Sequence, residues 1–354
     1  MVQRAAPSLF DSVAIQVDGL RRRVWQVAAR IGIGRSLIAD RNARLTTLAS
    51  LHMVTALALA LTLPGWLLLV GPIVLGVPHV VADIRYLLLR PIAPLARAAR
   101  VGILVPLTLL VALRVVNVLG GPEWLWLEVA CGVAALLAGT ALAEGQRRRQ
   151  IVLLALAAAL SVAAVLHPIA ASLTMVHLHN FVALGLFVLW SRRAGFAGHT
   201  LLITAVFAIC VALLLSGVLA PLGATTAVLN PASGIDLEGL AAAIAPGLSE
   251  GLAMRVLLVF AFAQAVHYTI WLRLIPGSAP FEPQRAPTTF RRNLGRLRSD
   301  VGRLGLRVVL GLSLVVPLAA LFDPLTTREI YFSVVVFHGW LEIAVFAALL
   351  VGRR

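Results

Sequence analysis

Apolar residues run along this chain in blocks of roughly 18 or more, parted by short polar or arginine-bearing joints. A block of that length, wound as a helix, crosses a bilayer core of about 30 Å. The pattern predicts ten such spans: 45–63, 65–89, 101–119, 124–143, 150–166, 172–191, 199–221, 251–273, 306–322 and 329–350. Two further stretches carry a different pattern. In residues 1–44, Leu9, Phe10, Val13, Val17, Leu20, Val24 and Val27 recur at mostly helical spacing among many arginines. In residues 290–304, Phe290, Leu294, Leu297, Val301 and Leu304 do the same, with Arg291, Arg292, Arg296, Arg298 and Arg303 largely off the stripe. Both predict amphipathic helices lying on the membrane surface. The expected fold is therefore all-α and polytopic, about ten transmembrane helices plus two interfacial ones. Residues 1–44 form the basic interfacial segment and 45–354 one membrane domain. The N-terminal segment has no uninterrupted apolar core and does not read as a signal peptide. In the connection 222–250, Asn230-Pro231, Gly234, Asp236 and Glu238 predict a turn followed by a short external helix.

Composition agrees with this reading. Hydrophobic residues are 60% of the chain and charged residues 13%, too few to coat a soluble domain of this size. Cys131 and Cys210 both fall inside apolar blocks and offer no disulfide framework. The formal charge of +15 comes from arginine without lysine. No nucleic-acid-binding motif accompanies it, and the arginines lie between the apolar blocks, where anionic headgroups meet them.

Charge also predicts topology. Alternate joints sort onto two sides. One side takes the N-terminus, Arg90–Arg100, Arg147–Arg149, Arg192 and Arg193, the basic loop 277–307, and Arg353 and Arg354. The other takes Pro64-Gly65, 120–123, 167–171, 222–250 and 323–328, with Arg328 its single arginine. Arginine favours the cytoplasmic face, so both termini are expected inside a cell's inner membrane.

Ionisable side chains at lipid depth are costly and tend to mark function. His52, His79, His177, His179, His267 and His338 all fall inside predicted spans. Asp83 follows His79 by one helical turn, and Glu342 follows His338 likewise. By depth, His52, His79, His267 and His338 overlap on four different helices. His177 and His179 lie nearer the external side and point in different directions, so at most one of them joins a central cluster. Imidazole suits iron, zinc and copper, and carboxylates complete or support such sites. The expected metal ligands are His52, His79, His267 and His338. Asp83, Glu342, His177 and His179 are expected as supporting or alternative ligands, and Tyr268, Trp271 and Arg273 as residues of a substrate cavity.

Two local motifs sharpen this. Gly76-Val77-Pro78-His79 followed by Asp83, and the run Phe262 to Arg273 (FAQAVHYTIWLR), together with a first-span histidine, resemble the Brp/Blh family of membrane β-carotene dioxygenases. The resemblance covers about a fifth of the chain. It implies an all-helical enzyme holding iron on histidines from several spans, with His52, His79 and His267 in family ligand positions. Val80 and Trp271 depart from the pattern, since the family has glycine and a second late histidine there. A fourth ligand would then come from His338, His177 or His179.

The expectation is a membrane-embedded, metal-dependent oxygenase with non-haem iron, acting on a lipophilic carotenoid, isoprenoid or acyl chain drawn from the membrane lipids. Another transition metal or haem could serve instead. A haem-binding electron carrier, a proton- or cation-coupled transporter and a non-catalytic descendant of the family are the alternatives.

Overall fold

The computed structural model describes residues 9–30, 32–91, 95–195, 197–219, 231–278 and 290–352. Among these there is no strand. Thirteen helices follow in order: α1 Leu9–Arg30, α2 Gly32–Ala39, α3 Arg41–Thr62, α4 Pro64–Ile84, α5 Arg97–Val118, α6 Leu125–Ala141, α7 Arg147–Leu166, α8 Pro168–Arg193, α9 Ala197–Ser216, α10 Leu237–Ile244, α11 Glu250–Thr269, α12 Phe290–Ala320 and α13 Pro324–Val351. Two helices run on through wider π turns, α4 into Arg85–Leu89 and α11 into Ile270–Leu274, the latter continuing to Ser278. Nine of the helical segments are long and apolar enough to cross a membrane. The expected span 124–143 is the shorter helix α6, of 17 residues.

Burial separates the middle of the bundle from its rim. In the most apolar stretch of each helix, 67% of residues are buried in α11, 61% in α13 and 50% in α4, against 11% in α7 and none in α12. Helix α13 packs on α4, α5, α6 and α8, while α11 packs on α3, α4, α8, α9 and α10. Close approach depends on glycine at a few points. A Cβ on Gly132 would lie 2.1 Å from the Trp340 ring, and one on Gly76 would lie 2.4 Å from the Tyr331 ring. Between α5 and α6, Arg114 and Glu128 form an ion pair of 2.6 Å, so neither charge is buried alone.

The surface helices have the expected character. Val13, Leu20, Val24 and Val27 of α1 are all exposed, an apolar face with no protein over it; the side chains of Leu9 and Phe10 lie outside the described set, as do residues 1–8, 220–230 and 279–289. The second surface helix is not separate from the span that follows it. Both belong to α12, broken at Gly302, whose φ of 75° and ψ of 178° suit glycine alone. Asp18 of α1 accepts from the backbone N–H groups of Phe290 and Arg291 at 2.5 and 3.2 Å, capping the start of α12. Asp300, just before the break, holds Arg85 at 2.6 Å and Arg90 at 2.5 Å. In the connection before α11, Asp236 accepts from the Gly239 N–H and starts the short helix α10.

Candidate metal centre and its cavity

Four helices each bring an imidazole to one place: His79 from α4, His179 from α8, His267 from α11 and His338 from α13. Ring centroids lie 5.2 Å apart for His79–His267, 5.0 Å for His79–His338, 5.2 Å for His179–His267, 5.2 Å for His179–His338 and 5.8 Å for His267–His338. The helix phases explain the convergence. Asp83 sits one turn beyond His79 on the same face of α4 and is fully buried with it. Glu342 sits likewise one turn beyond His338 and is also fully buried. Gly339, next to His338, allows α8 to come close, because a Cβ there would meet the Cβ of His179 at 3.2 Å.

The rings are oriented by backbone. The Nδ1 groups of His79 and His179 donate to the carbonyls of Leu75 and Met175 at 3.2 and 3.0 Å, and that of His338 donates to Val335. A carbonyl can only accept, so these three Nδ1 atoms carry the proton and leave Nε2 with its lone pair. One donor atom each from His79, Asp83, His267 and His338 can be chosen so that all lie within 4.8 Å of one another.

These groups fit a cation. His79 Nε2, both oxygens of Asp83, both ring nitrogens of His267 and Oε2 of Glu342 are buried without a hydrogen-bond partner. Leaving so many polar atoms unmatched in an apolar interior is costly, and one shared ion would match an atom from each of His79, Asp83 and His267. Four donors around one transition-metal ion sit roughly 3–4 Å apart, so these donors would draw together around a bound ion. Imidazole with carboxylate suits iron, manganese or zinc. Behind the cluster, Glu342 Oε1 lies 3.5 Å from His267 Nε2 and accepts from Trp271 Nε1 at 2.7 Å.

The cluster opens into a cavity of about 230 Å³ with mostly apolar walls. Phe260, Phe332, Val335 and Val336 form much of its lining, and Tyr268, Gln264, Asn180 and Tyr331 supply neutral polar groups. Tyr268 stands 4.6 Å from the His79 ring and its hydroxyl accepts from Gln264 Nε2 at 3.2 Å.

Several expected positions need correction. His52 does not join the cluster. It is exposed, and its Nδ1 donates to the Leu48 carbonyl at 2.6 Å. Helix α3 buries Ala49, Met53, Ala56 and Ala60 instead, and His52 lies about 70° off the centre of that stripe. His179 is the fourth imidazole. His177 turns away, donating from Nε2 to the Ile244 carbonyl at 3.0 Å and so tying α8 to α10. Tyr268 lines the cavity beside the imidazoles, but Trp271 and Arg273 do not. They face a second cavity of about 460 Å³ on the arginine-rich side, along with Arg44, Arg85, Arg90 and Arg296. The π turn that begins at Ile270 carries them past the cluster. Tyr331 and Asn180 were not among the expected residues. Tyr331 lies two helical turns before His338, and that spacing was the available signal.

No family model, no curated protein and no solved structure matches this chain.

Proposed function

We propose that the chain is a membrane-embedded, metal-dependent oxygenase acting on a lipophilic substrate. The observation that supports it most is the set of buried, unmatched donor atoms on His79, Asp83 and His267, gathered with His338 where the imidazoles line an apolar cavity. His79, His267, His338 and Asp83 would hold the ion, with His179 beside it as a further ligand. A redox-active metal such as non-haem iron would supply dioxygen activation there. The chain's own residues supply the rest. Backbone carbonyls fix the three rings, Trp271 and Glu342 brace His267 from behind, and the phenyl and valine side chains keep water from the site.

The motif around Gly76 to Asp83, and His267, are the residues by which the chain resembles the Brp/Blh dioxygenases, and the reading carries that resemblance forward. A haem carrier is less well supported, because rings whose centroids lie 5.0–5.8 Å apart leave no slab for a macrocycle between them. The arginine distribution supports a place in the cytoplasmic membrane with both termini inside.

The test is elemental analysis with an absorption spectrum on detergent-purified protein. We expect near-stoichiometric iron or a related transition metal and no Soret band. His267→Ala should lower metal occupancy by about tenfold or more, whereas His52→Ala should leave it unchanged. Equal occupancy in the two variants would overturn the assignment.

A further inference from the structure

Arg328 is the single arginine in the joints on its side of the chain, and it lies in the second turn of α13. It lines the same cavity as the imidazoles. Its Nε donates to the Leu68 carbonyl at 2.9 Å. That carbonyl stands four residues before Pro72, which has no N–H to offer it, so Arg328 fills the gap that the proline leaves in α4. The guanidinium also lies 4.8 Å over the Phe332 ring. Both contacts hold the group still, yet they use only Nε and one face. Among the described residues no carboxylate lies within ion-pair distance of it, and its sequence neighbour Glu329 is exposed. A structural prop for Leu68 needs only a neutral donor. A permanent cation beside an apolar cavity does more.

The cavity has a direction. On α13, Arg328, Tyr331, Phe332, Val335, Val336, His338 and Gly339 line it at steps of three and four residues. From Arg328 to His338 the helix rises about 15 Å. One end therefore carries a fixed positive charge, the other the imidazole cluster, and the wall between is mostly apolar and uncharged.

We infer that the cavity takes an elongated lipophilic carboxylate, a fatty or isoprenoid acid, with its head on Arg328 and its chain directed towards the imidazoles. This rests on reading the cavity as a substrate site. A guanidinium whose Nη1/Nη2 edge is left over matches the charge and shape of a carboxylate. The neutral amide and hydroxyl groups along the way add no second charge, so a dianionic phosphate head finds only half its complement.

The experiment uses full-length protein in a neutral detergent, stripped of metal by chelator and, separately, reloaded. Binding of dodecanoate and of dodecanol is measured by displacement of a fluorescent acyl probe, with acetate as a headgroup control. Wild-type protein is expected to prefer dodecanoate by about tenfold, the worth of one charge-assisted pair, with or without metal. Arg328→Gln keeps a donor for Leu68; it should abolish the preference, leave dodecanol binding intact and keep the metal content of the reloaded protein. Acetate should not compete. Absence of preference in the wild-type protein, or a preference unchanged in Arg328→Gln, overturns the inference, and so does acetate competing as well as dodecanoate. If the preference holds in protein that takes up no metal, the carboxylate site stands and the oxygenase reading falls.

Discussion

At the scale of single residues, the imidazoles are held by what lies one turn before them. His79, His179 and His338 each donate backwards along their own helix, to Leu75, Met175 and Val335. His267 lacks such a bond and depends on Glu342 and the neighbouring rings. Small residues set how closely the rings meet. Gly339→Ala would press a methyl group against His179 and against Met175 Sδ, at 3.2 and 3.4 Å. That variant should fold, at a cost of about 1–3 kcal/mol, and should lose about tenfold in metal affinity. A metal titration that gives wild-type affinity would exclude His179 from the site. Residue identity and depth were legible in the sequence, which is why His79, His267, His338, Asp83 and Glu342 could be singled out. Helix phase was not. His52 sits at the right depth on the wrong face, because α3 gives its small-residue stripe to the protein. The exposed ring costs little where it caps its own Leu48 carbonyl.

At the scale of elements, spans and surface helices followed directly from apolar run length and from stripes at three- and four-residue spacing. The π turns did not, since nothing in composition marks where a helix widens by a residue per turn. Their effect on the site is direct, because the turn at Ile270–Leu274 sends Trp271 to Glu342 and Arg273 towards the other cavity. Helix ends were more readable. Asp323 is the N-cap of α13 and accepts from Thr326 N–H at 3.0 Å. The Thr326 side chain and backbone hold its carboxyl below the usual carboxylate range. The folded value is thus the lower one. Its contribution is complete above the ordinary value of about 4 and fades as pH falls through the depressed folded value. Melting curves from pH 3 to pH 7 should therefore show wild-type protein losing more stability on acidification than Asp323→Asn, which caps without titrating. Parallel pH dependence in the two proteins would refute this.

At the scale of the whole molecule, the most buried helices α11, α13 and α4 carry three of the four clustered imidazoles, and the least buried, α7 and α12, form the rim. Charge sorting predicts which ends share a side of the membrane. Single cysteines at Ser12 and Ser299 should react together with an impermeant thiol reagent, and one at Ser233 should react only from the opposite side. Ser12 and Ser299 labelling from opposite sides would break the topology. The rim helix α12 has one more property. From Phe290 to Val301 its surface arm measures about 18 Å, at 1.5 Å per residue, and it is hinged at Gly302. A turn of about 20° at that joint would swing the far tip through roughly 6 Å while Asp300, beside the pivot, hardly moves. The Asp18 contact at the tip would break long before Arg85 and Arg90 let go. The arm is thus a lever fastened near its fulcrum, with its free tip resting on α1.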